Sequence, residues 1–342
     1  MSSADSKPRI AWVGPDPSVE SSKAAYVSAR LLPFVREIFE VDIICEPAQL
    51  RRLHENAYSR VFLQIEDHPL SRSLNHFFLG IEEKICCSVV SLCHDLYFQP
   101  NAESELDGQI VDWLYSSANV LFSSLRNLAV YSENVKNRKN GSVKYRGCYL
   151  PYPIDVSNSS DSVGCDNERL QIAYCGTTLL EDRAYCLLPV LSSFDEDVCL
   201  DWMLDKQELE DARRLCREFN FDAVKFHTPR SPLGWWGLLD GSVLAFHTRF
   251  SAYGDLGPYL GLSLSARSPV VVTDFAEGAH LPNEIAWKIR AGEMEKADMM
   301  ELLQLWHSRD SRLLRQVAAG RSYAEEYFTS PVVASDLCSR LY

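Results

Sequence analysis

Short apolar runs alternate with polar or amphipathic stretches along the first half of the chain. A helical pattern lies between the first two runs, at about 24–39, where Val27, Leu31 and Val35 share one face and Pro33 predicts a kink. The alternation predicts βαβ units around a parallel sheet that is buried on both faces. The predicted strands are 10–13, VDIIC (41–45), RVFLQI (60–65), SVVSLCHD (88–95) and NVLFSS (119–124).

A second alternating series follows a stretch that resists regular structure. YLPYPID (149–155) carries two prolines, and the polar segment after it is typical of a linker. The second series predicts strands at 170–176, 198–203, 223–227, 242–249 and 269–274, with helices near 182–193, 206–219 and 296–322 and a short one from Pro331.

The chain is therefore predicted to form two doubly wound α/β domains. The first covers residues 1–155, the linker 156–168 and the second 169–325, and a final helix in 326–342 is expected to pack back toward the first domain. Two such domains facing each other create a cleft at the carboxyl ends of both sheets, where ligands bind. Binding proteins, kinases, phosphorylases and glycosyltransferases share this frame, so the residues at strand ends must identify the function.

Composition and charge exclude several classes. The 342 residues are 46% hydrophobic with a formal net charge of -13, and no basic stripe is present to neutralise a nucleic-acid backbone. The same charge leaves open only a weak peripheral association with a membrane. Residues 1–10 lack the apolar core of a signal peptide, and no run approaches the roughly 18 to 20 apolar residues of a membrane span. We expect a cytoplasmic protein.

The eleven cysteines form no Cys-x-x-Cys pair and have no histidine at ligand spacing. Most lie in apolar runs, which is typical of buried free thiols in a reducing compartment. His227 and His247 end predicted strands and also lack a metal partner, while Trp235 and Trp236 fit packing beneath a helix better than stacking on a ligand. We expect neither a metal nor another cofactor.

The segment VLAFHTRFSAYGDLGPYLGLSLSARSPVVVTD (243–274) contains the most informative pattern. A strand ends near Arg249, a Tyr-Gly-acid turn opens a helix of small residues, and a second strand ends at Asp274. A helix start presents unpaired N–H groups and a partial positive charge, which together suit a diphosphate. An ordinary βαβ unit with a glycine-containing turn has the same spacing.

Several further motifs occur in a consistent order: RIAWVGPDP, VVSLCHDLY, YLPYPID, IAYCGTTLLEDR and the ending SYAEEYFTSPVVASDLCSRLY. With the segment above, they resemble the B-type (GT-B fold) glycosyltransferases, specifically the retaining family 4 group (glycosyl transferases group 1). The likeness covers nearly the whole chain. It implies transfer of a sugar from a nucleotide-diphosphate donor to a glycan or lipid-linked acceptor, without a metal ion.

The resemblance assigns roles to individual positions. His94, followed by Asp95, matches a histidine beside the transferred sugar, where imidazole donates a hydrogen bond or carries a proton. Asp255 stands where the family has the first of two glutamates, near the donor sugar hydroxyls. Ser263 stands at the second, which grips the ribose; serine offers a hydroxyl without the charge.

The resemblance places the donor diphosphate against the second domain. Arg183 matches a basic residue that binds phosphate oxygens, whereas Thr177 replaces the basic residue that usually follows the glycine, here Gly176. Arg249 adds a positive charge at the preceding strand end. Backbone N–H groups of the helix start complete the predicted donor site, at Gly257, Tyr259 and Leu260; Pro258 has none.

On the acceptor side, Ser21, Ser22 and Lys23 replace the paired glycines of the family. Serine side chains reduce the space for backbone approach, and Lys23 is a candidate contact to an anionic acceptor. Two hypotheses follow: a retaining transferase, or a degenerate binding or scaffold subunit that keeps the fold and has lost transfer.

Overall fold

The computed structural model describes two compact units. Residues 1–155 and 329–342 form the first unit, and residues 156–328 form the second. The described residues are 7–18, 22–55, 57–66, 69–81, 85–94, 109–110, 112–114, 119–137, 146–155, 169–175, 183–194, 197–204, 206–228, 238–239, 244–248, 257–266 and 268–342.

The first unit contains a six-stranded parallel sheet. Its strands are β1 (Arg9–Val13), β2 (Glu40–Ile44), β3 (Arg60–Ile65), β4 (Ser88–Cys93), β5 (Asn119–Phe122) and β6 (Arg146–Tyr149). Its helices are α1 (Lys23–Ile38), α2 (Arg52–Glu55), α3 (Pro69–Leu79), α4 (Leu125–Asn137) and, at the end of the chain, α11 (Ser330–Leu341). The strand order is β2-β1-β3-β4-β5-β6. β2 lies on one side of β1 and β3 on the other, so the sheet is built outward in two directions from β1 while its strands stay parallel.

The sheet of the first unit is buried on both faces, as its apolar strands predict. Ile10 and Trp12 of β1 belong to the core on one face, and Ala11 and Val13 belong to the core on the other. The first of these cores also includes Leu337 and other side chains of α11. The last helix of the chain therefore completes the core of the first unit, and its start is joined to Ile154 by a β-bridge from Thr329.

The second unit contains another six-stranded parallel sheet. Its strands are β7 (Leu170–Cys175), β8 (Val198–Met203), β9 (Val224–His227), β10 (Leu244–His247), β11 (Val270–Thr273) and β12 (Trp287–Ile289). Its helices are α5 (Ala184–Ser192), α6 (Leu209–Glu218), α7 (Gly257–Ser265), α8 (Ala276–His280), α9 (Glu295–His307) and α10 (Ser311–Tyr327). The strand order is β12-β11-β10-β7-β8-β9. β8 and β9 lie on one side of β7 and β10 to β12 on the other, so the sheet is built outward in two directions from β7.

One predicted helix is wrong in its extent. The sequence pattern indicates a single helix from about 296 to 322, but α9 ends at His307 and α10 begins at Ser311. Arg309 between them has a φ of 51°, in the left-handed region, and the Asp310 carboxylate accepts a hydrogen bond from the backbone N–H of Arg312 at 2.8 Å. This local turn and N-cap divide a continuous amphipathic pattern into two helices.

Two strands have no counterpart in the predicted elements. β6 and β12 each lie at an edge of a sheet, and each includes a cationic residue, Arg146 or Lys288. Within the described ranges, no helix is both long enough and apolar enough to cross a lipid bilayer.

Candidate functional site

The second unit offers a site where its strand order reverses. Ligands of doubly wound sheets bind outside the carboxyl ends of the two strands at this point, here β7 and β10. β7 ends at Cys175 and β10 at His247, and α7 is the next helix after β10. The segments that directly follow these two strands, 176–182 and 249–256, lie outside the described residues.

The N-terminus of α7 supplies backbone donors near the carboxyl ends of β7 and β10. Gly257 begins the helix with a φ of 57°, a conformation that glycine adopts without steric cost. The first turn continues with Pro258, Tyr259 and Leu260. N–H groups in this turn have no intrahelical acceptor, and together with the helix dipole they attract an anion.

Behind this helix start lies a buried polar pair. The Nε2 atom of His247 and the hydroxyl of Ser263 are 2.7 Å apart, and Ser263 is fully buried. Burial lowers the pKa of His247 to about 3, so the imidazole is neutral at physiological pH. The resemblance assigned the Ser263 hydroxyl to the ribose; in the structure this hydroxyl is fully buried and lies at hydrogen-bond distance from His247.

Arg183 also has a protein partner. It precedes α5 with a φ of 64° and donates through Nε and Nη2 to the two carboxylate oxygens of Glu295, with the Nε–Oε1 distance 3.0 Å. Its Nη1 donates to the hydroxyl of Tyr185 at 2.9 Å. The hydrogen bonds to Glu295 raise the pKa of Arg183. The guanidinium is thus neutralised by a carboxylate that competes with any phosphate.

In the first unit, His94 directly follows β4 and is fully buried. Its ring stacks on Tyr152, with 5.6 Å between centroids. In the orientation of the Gln64 amide that satisfies its hydrogen bonds, the oxygen accepts from the Trp12 indole at 3.1 Å and from the Ser28 hydroxyl at 2.6 Å. Its nitrogen then donates to Nε2 of His94 at 3.1 Å. Because Nε2 accepts in this arrangement, a neutral His94 carries its proton on Nδ1.

The start of α1 is satisfied by the protein's own groups. The Ser22 hydroxyl accepts from the N–H of Ala25 at 3.0 Å, and the carboxylate of Glu66 accepts from the N–H of Lys23 at 2.6 Å. Ser22 is therefore an N-cap, and Glu66 adds a favourable negative charge at the positive end of the helix. An anion approaching this helix start would meet that carboxylate.

The remaining predicted site residues have no structural description. They lie outside the described ranges and remain predictions: Ser21, Asp95, Gly176, Thr177, Arg249 and Asp255.

Sequence reasoning missed three partners that define these environments. Gln64 was detectable as the polar residue inside the apolar run VFLQI (61–65). Glu66 and Glu295 gave no such signal, because each meets its partner across a long sequence separation, 43 and 112 residues. Across the described chain, no three His, Cys, Asp or Glu side chains cluster closely enough to hold a metal ion.

The two doubly wound parallel sheets define a two-domain α/β protein, and solved structures of the same architecture align along almost the whole chain. HepE of Anabaena, in complex with UDP and glucose, matches with a TM-score of 0.72 and 10% identity over 98% of this chain and 99% of that one. Sucrose-phosphate synthase of Thermosynechococcus elongatus matches with a TM-score of 0.72 and 11% identity over 98% of both chains. A glycosyltransferase of Rickettsia africae matches with a TM-score of 0.65 and 10% identity over 98% of both.

These similarities show the fold. The chain has the GT-B fold. The prediction of two Rossmann-like domains, each with a doubly wound parallel sheet, is confirmed. No protein-family model matches the sequence, and no curated protein matches it.

Proposed function

We propose that this protein transfers a sugar from a nucleotide-diphosphate donor to a glycan or lipid-linked acceptor, with retention of configuration. The observation that carries the proposal is the position of α7. This helix begins with a left-handed Gly257 and follows β10, one of the two central strands between which the strand order of the second sheet changes direction. This is the geometry that binds a diphosphate in doubly wound folds. The UDP and glucose in the HepE complex agree with it.

The proposed reaction is a front-face displacement. The bond between the anomeric carbon and the diphosphate oxygen breaks while the acceptor hydroxyl attacks from the same face, and the acceptor proton passes to the leaving oxygen. Negative charge grows on the diphosphate, so the donors and dipole of α7 stabilise the transition state more than the ground state. Asp255 and His94 are proposed to orient the sugar, and Arg249 to add positive charge.

Arg183 has two possible contributions that can be separated experimentally. If it binds the diphosphate, then Glu295→Gln frees its charge and tightens donor binding, while Arg183→Ala weakens it. If Arg183 only ties α5 to α9, both substitutions act on stability, and donor affinity changes in the same direction in both.

Calorimetric titration of the full chain with UDP, GDP and ADP is the first test, followed by donor-hydrolysis assays on His94→Ala and Arg183→Ala. We expect one nucleotide to bind and both variants to lose turnover by at least about tenfold, the value of one lost charged hydrogen bond. Unchanged turnover in both variants would refute the assigned roles.

A second candidate function is a binding or scaffold subunit that has lost transfer. The pairing of Arg183 with Glu295 and of Ser263 with His247 favours it, because two predicted donor contacts are occupied by protein groups. Absence of binding to all three nucleotides, together with stable association with a second protein, would support this alternative.

A further inference from the structure

A pocket of about 710 Å³ lies beside β12, the edge strand of the second sheet on the side away from β9. It is lined by β12, by the first part of α9 and by α10. Its volume is in the range of roughly 300 to 1,000 Å³ that is usual for small-molecule sites. β11 separates β12 from β10, so β12, which lines the pocket, is about 10 Å, two strand spacings, from the strand that leads to α7.

The pocket is rich in charged groups but has no net charge. Four cationic and four acidic side chains line it. The carboxylate of Asp298 accepts two hydrogen bonds from the guanidinium of Arg290, at 2.9 and 2.5 Å. Arg312 is paired in the same way with Asp310, at 3.1 Å for both bonds. These forks hold planar donors and acceptors in fixed directions, and the balance of charge disfavours a strongly anionic ligand.

Three lining side chains keep their charge available to a ligand. Arg315 donates to the Ser311 hydroxyl at 3.1 Å, and no described carboxylate lies within ion-pair distance of it. Glu284 and Glu301 likewise have no described cationic partner within that distance. The pocket therefore offers both hydrogen-bond donors and hydrogen-bond acceptors.

Gln316 gives an independent indication of a ligand. Its side chain lines the pocket and is 7% exposed, and its Oε1 atom has no hydrogen-bond partner among the described residues. A buried amide oxygen without a donor destabilises the folded state, because its hydrogen bond to water is lost and not replaced. Native proteins rarely retain such a group unless a bound molecule or water satisfies it.

We propose that this pocket binds a neutral carbohydrate, separately from the proposed donor site. Sugar hydroxyls both donate and accept, so they match a wall of alternating guanidinium, carboxylate and amide groups with no net charge. One hydroxyl would donate to Oε1 of Gln316 once the side-chain amide turns about its last torsion and brings this buried oxygen to the pocket. The half-buried indole of Trp287, which also lines the pocket, provides an apolar surface for the C–H face of a sugar ring.

The test is calorimetric titration of the full chain with maltoheptaose, cellohexaose and a neutral mannan oligosaccharide, each up to about 10 mM, which detects dissociation constants near about 1 mM. Gln316→Met removes the amide at nearly constant volume. We expect it to weaken binding by about tenfold, the effect of one hydrogen bond, without lowering the melting temperature, because it removes an unsatisfied acceptor. Gln304→Met, at an exposed position of α9, is the matched control and should bind normally.

A second pair of variants tests the charged wall. Arg315→Gln should weaken sugar binding, whereas Arg321→Gln, on the same helix outside the pocket, should not. The proposal is overturned if none of the three sugars binds, if Gln316→Met binds them as tightly as the unmodified chain, or if inorganic phosphate competes with them through Arg315. Titration with UDP in the same samples reports on the donor site, so failure of the proposed transfer and failure of this pocket give different results.

Discussion

At the scale of single residues, His247 links burial to pH. Its pKa of about 3 in the folded state compares with about 6.5 in an unfolded chain. The unfolded chain therefore takes up a proton at this position below about pH 6.5, whereas the folded chain does so only near pH 3. The neutral, buried His247 therefore favours the folded state fully above about pH 6.5, and this contribution to the free energy of unfolding is lost as the pH falls from about 6.5 toward 3.

We expect the free energy of unfolding of the second unit to fall by up to about 1.4 kcal/mol per pH unit below pH 6.5 from this residue. His247→Gln should remove that part of the slope, as measured by urea unfolding at pH values between about 7.5 and 4.5. His280→Gln, at an exposed position, is the matched control. A slope that is the same in His247→Gln as in the unmodified chain would contradict this prediction.

The ion pair between Arg183 and Glu295 is a second residue-scale feature with a measurable cost. Its side chains are 12% and 2% exposed, so removing either partner leaves the other charge largely desolvated. Arg183→Met and Glu295→Gln should each lower the free energy of unfolding by about 3 kcal/mol, and the double variant by less than the sum. Variants of the exposed pair Arg321 and Glu325 should change it by less than about 1 kcal/mol. Additive effects in the buried pair would show that the two charges do not interact.

The sequence identified Arg183 as a candidate but could not reveal its surroundings. A basic residue just before a predicted helix is visible in one sequence, whereas Glu295 reaches it only after α5 and α9 pack together. The same limit applies to Ser263, whose partner His247 lies on a different element. Hydrogen-bond partners that are far apart in sequence depend on tertiary packing, and local pattern carries no information about them.

At the scale of elements, the start of α7 is the feature on which the proposed donor binding depends. Gly257→Ala places a Cβ on a residue with a φ of 57°, which should cost about 1 to 2 kcal/mol and hinder approach of a diphosphate. We expect at least tenfold weaker nucleotide binding by calorimetry. Gly292→Ala, at a φ of 94° with open space around the added Cβ, carries similar strain away from α7. It should bind nucleotide normally, and equal losses in both variants would indicate a stability effect alone.

The central strands and the edge strands β2 and β9 were predicted, but the edge strands β6 and β12 were missed. Central strands such as β3 and β8 are apolar runs whose limits the sequence pattern matched, at 60–65 and 198–203. Edge strands β6 and β12 are short and include cationic residues, so they lack that pattern. The division between α9 and α10 depends on one left-handed residue, Arg309, which a helical periodicity does not reveal.

At the scale of the whole molecule, each unit has its own hydrophobic cores. Leu337 of α11 is buried in a core of the first unit, and Leu302 of α9 is buried in the core of the second. Leu337→Ala and Leu302→Ala should each cost about 2 to 5 kcal/mol in the unit that contains them. Hydrogen exchange followed by mass spectrometry should show faster exchange in β1 to β5 for Leu337→Ala and in β7 to β12 for Leu302→Ala. Faster exchange throughout both units in either variant would show that the two cores unfold together.

The fold as a whole was accessible from the sequence because it depends on the order of elements. Alternating apolar strands and amphipathic helices restrict a chain to few topologies, and right-handed crossovers restrict them further. The chemistry depends on strand ends and loops, where single contacts decide the outcome. Ser22 illustrates the difference: a helix from about residue 24 followed from the pattern, while the action of Ser22 as its N-cap beside Glu66 required coordinates.

The position of α11 has a consequence for synthesis on the ribosome. The chain leaves the first unit at residue 155 and returns to it at residue 329, so the helix that packs on α1 is translated after the whole second unit. Every residue of the second unit has left the peptidyl-transferase centre before the first unit has all of its core side chains. During translation, the apolar face of α1 therefore stays uncovered until residues 329–342 have been synthesised and have left the ribosome, after the whole second unit.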